Sequence, residues 1–143
     1  MKNMALLIDT NIVVDWIQKR ESFHEAAAAV VKLCLEEKVQ GFLTCHTILN
    51  LFYILRKERS VAERREILLM LCNDFNIIGI DNKMLVKALC SDDFRDLEDD
   101  LQIQCAIEEG LDYIITRDKD FKNSKVRAIL PEDFLNMWRN YAQ

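Results

Sequence analysis

Two periodicities alternate along the chain. Ala5-Leu6-Leu7-Ile8 and Tyr113-Ile114-Ile115 are short unbroken apolar runs, and each gives way to a polar stretch holding an aspartate, Asp9-Thr10-Asn11 and Thr116-Arg117-Asp118. Runs of this length followed by helical patterns predict strands of a parallel sheet buried on both faces. On this pattern strands fall at 4–8, 41–45, 76–80, 112–116 and 126–130. Between them, apolar positions recur with helical period. Helix 10–18 carries Ile12, Val13, Trp16 and Ile17 on its apolar side, and Ser22 is placed to cap a helix running to 37. A very apolar helix spans 47–57, and Ser60 with Glu63 forms a capping box for another over 61–72. Helices also fall at 82–89 and 96–109, the latter closed by Gly110, and Pro131 opens a last one reaching 141.

Strands alternating with helices predict an α/β fold. The expected architecture is a three-layer α/β/α sandwich around a mostly parallel sheet of four or five strands, with residues 1–143 forming one domain. Sites in such sheets lie in the crevice outside the carboxyl ends of the strands. Two carboxylates delivered to that edge, Asp9 and Asp118, repel unless something positive lies between them, and a hard divalent cation is the usual solution.

Composition narrows the chemistry. With Gly 3 and Pro 1 there is no room for a Gly-rich phosphate loop or a flexible linker. No apolar run approaches the roughly 18 residues that span a bilayer, and Met1-Lys2 leads directly into the first strand, so a cytoplasmic protein with no membrane association is expected. The five cysteines (34, 45, 72, 90 and 105) are widely spaced, form no CxxC pair and sit among apolar residues, which predicts buried reduced thiols rather than zinc or redox chemistry. A formal net charge of -5 argues against a dedicated electrostatic nucleic-acid surface. It leaves room for an enzyme that handles nucleic acid through metal ions and a local basic patch.

The densest charge run is Ser91-Asp92-Asp93-Phe94-Arg95-Asp96-Leu97-Glu98-Asp99-Asp100. A helix starting near 96 places Asp96, Asp99 and Asp100 on one face, with Glu98 directed elsewhere. Acids in a first turn also suit the helix dipole. Asp99 borders the buried stripe of Leu101, Cys105 and Ala106, which makes it the favoured ligand of the three. Asp9 is equally a helix cap or a ligand. Asp118 stands closer to its strand end than Asp120, and Phe121 is placed to anchor that loop in the core. Asn50, among Ile48, Leu49, Leu51, Phe52 and Ile54, needs hydrogen-bond partners that a polar crevice at the strand ends would supply. His24 and His46 lack ligand-like spacing, which argues against a transition-metal site.

Taken in order, Leu7-Ile8-Asp9-Thr10-Asn11, Asp96-Leu97-Glu98-Asp99-Asp100-Leu101-Gln102 and Tyr113-Ile114-Ile115-Thr116-Arg117-Asp118-Lys119-Asp120-Phe121 make the chain resemble the PIN-domain family, which includes the VapC-type toxins of toxin–antitoxin pairs. The resemblance extends from the first strand to the Pro131-Glu132-Asp133-Phe134-Leu135 helix. It implies a parallel sheet flanked by helices and an acidic cluster that binds Mg²⁺ or Mn²⁺ to cleave RNA. Asp9, Asp99 and Asp118 match the family's acids, Asp96 is a neighbouring candidate ligand, and Thr116 matches its small hydroxyl partner. Asn11 and Asn50 fall beside these as supporting residues. Asn50 stands where the family commonly places a glutamate, so the expected site keeps about three negative charges, enough for one Mg²⁺ with its waters.

In this reading Arg56 and Lys57, with Arg59, Arg64 and Arg65 nearby, contact the RNA backbone. An antitoxin partner follows from the resemblance alone; the apolar surfaces of helices 23–37 and 47–72 suit such a partner or a homodimer. Two other functions remain open. One is a catalytically silent PIN-like module that binds RNA or protein. The other is phosphoryl transfer through Asp9 as nucleophile, for which Asn11 stands where such enzymes generally carry a second aspartate.

Overall fold

Strand β1 (Ala5–Ile8) is buried along its whole length, and it lies at the middle of the molecule. In this computed structural model, which describes residues 3–118, 121 and 125–142, it is flanked by β2 (Gln40–Thr44) and β4 (Tyr113–Ile115). Strand β3 (Asn76–Ile78) pairs outside β2, and β5 (Arg127–Ile129) outside β4. The order is β3-β2-β1-β4-β5 and every pairing is parallel. The chain therefore builds outward from β1 to one edge, then crosses back to β1's other side. The direction of winding reverses between β1 and β4, where α/β sheets open a crevice at their carboxyl edge.

Alternate side chains of each strand point to opposite faces, and two cores result. Leu6 and Ile8, with Leu43, Ile115 and Ile129, pack under helices α1 (Thr10–Ile17), α2 (His24–Leu35), α3 (Cys45–Ile54), α4 (Val61–Asp74) and α7 (Pro131–Ala142). Ala5 and Leu7, with Ile78 and Ile114, pack under α5 (Asn82–Leu89) and α6 (Leu97–Glu108). This is the three-layer α/β/α arrangement expected. Phe121, as anticipated, is buried in the second core.

Most boundaries shift by a residue or two, and the larger differences have local causes. Ser22 does not cap α2; it takes a left-handed backbone (φ 75), and the Arg20 carbonyl accepts the N–H groups of Phe23 and His24 instead. Helix α3 starts two residues early because Thr44, the last residue of β2, caps it by accepting from Thr47 N. It then tightens into a 3₁₀ turn over Leu55–Lys57. The Ser60–Glu63 capping box forms as read, and Gly110 ends α6 with φ 63. Cys34 and Cys105 are buried, and burial pushes each thiol up to about 12. Cys72 and Cys90 depart from expectation and are exposed, because they stand on the outer side of α4 and at the end of α5, over which no described residue packs there.

Gly41 is one position where side-chain volume is excluded. A Cβ there meets Cys34 Sγ and the Phe75 ring at 2.8 Å. Gly41→Ala is expected to cost about 1–3 kcal/mol through overpacking, read as a lower urea midpoint with an unchanged m-value.

Candidate active site

The carboxylate of Asp9 stands at the end of β1, where it caps a helix and gathers other side chains around it. It is the N-cap of α1, its Oδ1 accepting Thr10 N–H at 2.7 Å. The same oxygen accepts Gln102 Nε2 at 2.9 Å, while Oδ2 accepts Thr116 Oγ1 at 2.6 Å and Asn11 Nδ2 at 3.2 Å. Only 6% of the residue is exposed. Strand register explains the Thr116 contact: Ile8 pairs with Ile115, so the next residues of β1 and β4 meet. The Thr116 hydroxyl also accepts Asp118 N–H at 2.9 Å, which ties the post-β4 segment to Asp9. On β1's other side Thr44, Thr47 and Thr10 form a buried chain of hydroxyls, with Thr10 Oγ1 and Thr47 Oγ1 2.9 Å apart and Thr44 Oγ1 donating to Thr47 at 3.2 Å. The first turns of α1 and α3 are thereby locked together beside Asp9.

Of the acidic run, α6 uses each member differently. Asp96 is the N-cap, accepting Asp99 N–H at 3.1 Å. Asp100 is buried and accepts Arg95 N–H at 3.3 Å, shaping the turn that enters the helix. Asp99 is left facing the other carboxylates. Burial first, then Asp118, Asp96, Asp9 and Glu98, push its carboxyl up to about 7.

That shift has a stability consequence. An acid whose folded pKa exceeds its unfolded value near 3.9 holds its proton more tightly in the native state. The metal-free fold therefore loses stability as pH rises from about 4 to about 7, and the loss is complete above that. Asp99→Asn is expected to flatten this slope and raise Tm at pH 8, as scanning calorimetry in EDTA between pH 5 and 8 would show. An unchanged slope would contradict the assignment.

The crowding of acids suits a hard cation, and the neutral oxygens nearby suit it too. Asn11 Oδ1 and Gln102 Oε1 are solvent-inaccessible and have no hydrogen-bond partner among the described residues. Both amides touch Asp9, so they offer the oxygen ligands that Mg²⁺ and Mn²⁺ accept. Among the described residues no group of three or more His, Cys, Asp or Glu side chains stands close enough together to hold a metal ion. The donor set fits an ion that keeps much of its water shell and takes one or two carboxylates directly, the habit of Mg²⁺.

Residues 5–120 match the family model described as PIN domain. The chain belongs to the PIN-domain family. Ribonuclease VapC1 of Aquifex aeolicus is 25% identical over 145 residues, covering 96% of this chain and 98% of that protein. Among solved structures, a toxin–antitoxin complex from Klebsiella pneumoniae is similar with a TM-score of 0.68 at 24% identity, covering 88% of this chain and 97% of that one. Mycobacterium tuberculosis VapC20, a sarcin–ricin loop cleaving toxin, gives 0.69 at 15% identity over 88% and 99%. At these identities the structural likeness is one of fold.

Within this PIN domain, Asp9, Thr116, Asn11 and Gln102 are in direct contact, and Asp99 and Asp118 face them. Asn50 sits apart from Asp9's hydrogen bonds and donates to Glu98 Oε1 at 3.0 Å, with His46 Nε2 3.1 Å from the same amide nitrogen. Glu98 therefore faces α3. The helix begins at Leu97 rather than 96, with Asp96 outside as its cap. Gln102 was missed as a site residue; its only signal in the sequence is its place one helical turn after Glu98. Arg56 and Lys57 are exposed at the far end of α3, about 9 Å along the axis from Asn50. The Arg56 guanidinium folds back over the Tyr53 ring at 3.7 Å and donates to Tyr53 O at 2.9 Å, so the structure does not draw it toward the acids. Lys119 and Asp120 lie outside the described residues.

Proposed function

We propose that this PIN domain is a metal-dependent endoribonuclease whose working residues are Asp9, Asp99 and Asp118. The supporting observation is the set of carboxylates gathered at the reversal of the sheet, where burial and Asp118, Asp96 and Asp9 together hold Asp99 up at about 7. Ribonuclease VapC1, similar along nearly its full length, supports RNA as substrate. Mg²⁺ or Mn²⁺ would be held by Asp9, Asp99 and Asp118, with Asp96 at the margin because its carboxylate already caps α6. When bound, the ion supplies Lewis-acid activation of water and charge neutralisation at the scissile phosphodiester. The chain's own residues orient the acids: Thr116 and Asn11 hold Asp9 Oδ2, Gln102 holds Oδ1, and Asp118 N–H donates to Thr116.

A direct test is cleavage of a structured RNA with Mg²⁺, with Mn²⁺ and with EDTA. Cutting that requires the metal supports the proposal. Cutting that persists in EDTA overturns it, and no cutting with either ion returns the RNA- or protein-binding module. Binding of an antitoxin is proposed as well, because the similar Klebsiella structure is a toxin–antitoxin complex. Helices α3 and α4 leave Leu49 (70% exposed), Tyr53, Val61 and Leu69 open to such a partner.

A further inference from the structure

We propose that Glu98 is a fourth working carboxylate of the cleft, presented from α6 and steered from the opposite wall by Asn50. The proposal rests on the metal-dependent reading above and adds a residue to it. Three placements carry it. Glu98 and Gln102 are four residues apart on α6 and so share a face. That face is turned to Asp9, since Gln102 Nε2 lies 2.9 Å from Asp9 Oδ1. On the opposite wall, Asn50 is three residues after Thr47, whose hydroxyl is 2.9 Å from that of Thr10, the neighbour of Asp9. Both side chains therefore stand on cleft-facing surfaces, and they meet there at 3.0 Å.

The chemistry of the pair explains the amide. An acid at position 50 would set two like charges against each other; the Asn50 amide instead donates to Glu98 Oε1. His46 Nε2, 3.1 Å from the same amide nitrogen, accepts its second N–H and so holds the amide in place. Among the described residues no lysine or arginine pairs with Glu98, and its side chain is 40% exposed, so its carboxylate stays solvated and has acceptor capacity beyond Asn50. Next to it, the buried Gln102 Oε1 without a partner is a neutral oxygen on the same helical face. Asn50 thus does not leave the cleft a charge short. The charge is delivered from α6, and the amide positions it.

The test is Mn²⁺ titration by calorimetry on the full chain, together with RNA cleavage, for the wild type, Asp9→Asn, Glu98→Gln, and the exchange Asn50→Glu/Glu98→Gln. Glu98→Gln keeps an acceptor for Asn50 but removes the charge. It is expected to weaken Mn²⁺ binding and cleavage by about 10–100-fold while leaving Tm in EDTA unchanged. The exchange variant, which restores one carboxylate from the other wall, is expected to regain most of both. Glu98→Gln behaving as wild type while Asp9→Asn loses binding would overturn the role of Glu98 alone. An exchange variant no better than Glu98→Gln would also overturn it, since a merely structural Glu98 gives that result. Mn²⁺ binding indifferent to Asp9→Asn would remove the metal reading and this proposal with it.

Discussion

Asp9→Asn is expected to abolish metal-dependent RNA cleavage, with a loss exceeding the roughly 100-fold typical of residues that only support a ligand. The variant should still fold. Asparagine caps helices about as well as aspartate, so α1 keeps its N-terminus. The new amide N–H needs an acceptor, and the two amides beside it, Asn11 and Gln102, each carry an oxygen with no present partner among the described residues. A half-turn of either amide supplies that acceptor. Tm in EDTA should therefore stay within a few degrees of wild type while calorimetric Mn²⁺ binding is lost. Undiminished cleavage would show that Asp9 is only a helix cap.

The largest stability effect is expected at Arg117. Its guanidinium makes a two-pronged contact with Asp15, Nε to Oδ2 at 2.7 Å and Nη2 to Oδ1 at 3.1 Å, and stacks on the Phe23 ring at 3.9 Å. Asp15 is 0% exposed. Arg20, at 3.8 Å, is a second cationic neighbour. Removing one partner of a buried pair strands the other charge in a medium that solvates it poorly, at a cost of roughly 3–5 kcal/mol. Arg117→Ala should then lower Tm by about 10 °C, and Asp15→Ala should do similarly. The double variant should cost less than the sum, because neither charge is left stranded. The effect reaches the site, since Arg117 directly precedes Asp118. Cleavage by Arg117→Ala, measured below its own Tm, should fall as well. Equal Tm for Arg117→Ala and wild type would show the pair to be energetically idle.

Much of the architecture was legible because the signals were local. The unbroken apolar run of β1 implied burial on both faces, Ser60 and Glu63 marked a helix start three residues apart, and residues 82–89 were read to the residue. The place of Asp9 and Asp118 near the strand ends was legible because Asp9 follows its apolar run directly and Asp118 stands three residues past its own. What escaped was non-local. Asp15 carries a charge on a short helix and reads as a solvated position until Arg117, 102 residues later, closes over it. The acidic run offered several carboxylates within ten residues, and only the packing of α6 against its neighbours decides which face α3 and which face Asp9. Ser22 was a sound capping residue displaced by a backbone turn in which the Arg20 carbonyl does the same work.

The placement of β1 at the middle of the sheet also sets a timetable. Asp9 is made well before two of its hydrogen-bond partners, Gln102 and Thr116, which lie 93 and 107 residues downstream. A growing polypeptide can pair β1 with β2 early, but the other edge of β1 stays open until β4 has left the ribosome. Open edges invite pairing with other chains, so stalled or truncated products of this gene should aggregate rather than persist as soluble fragments. The acids assemble only once β4 has emerged, and until then the nascent chain carries Asp9 without the neighbours that orient it.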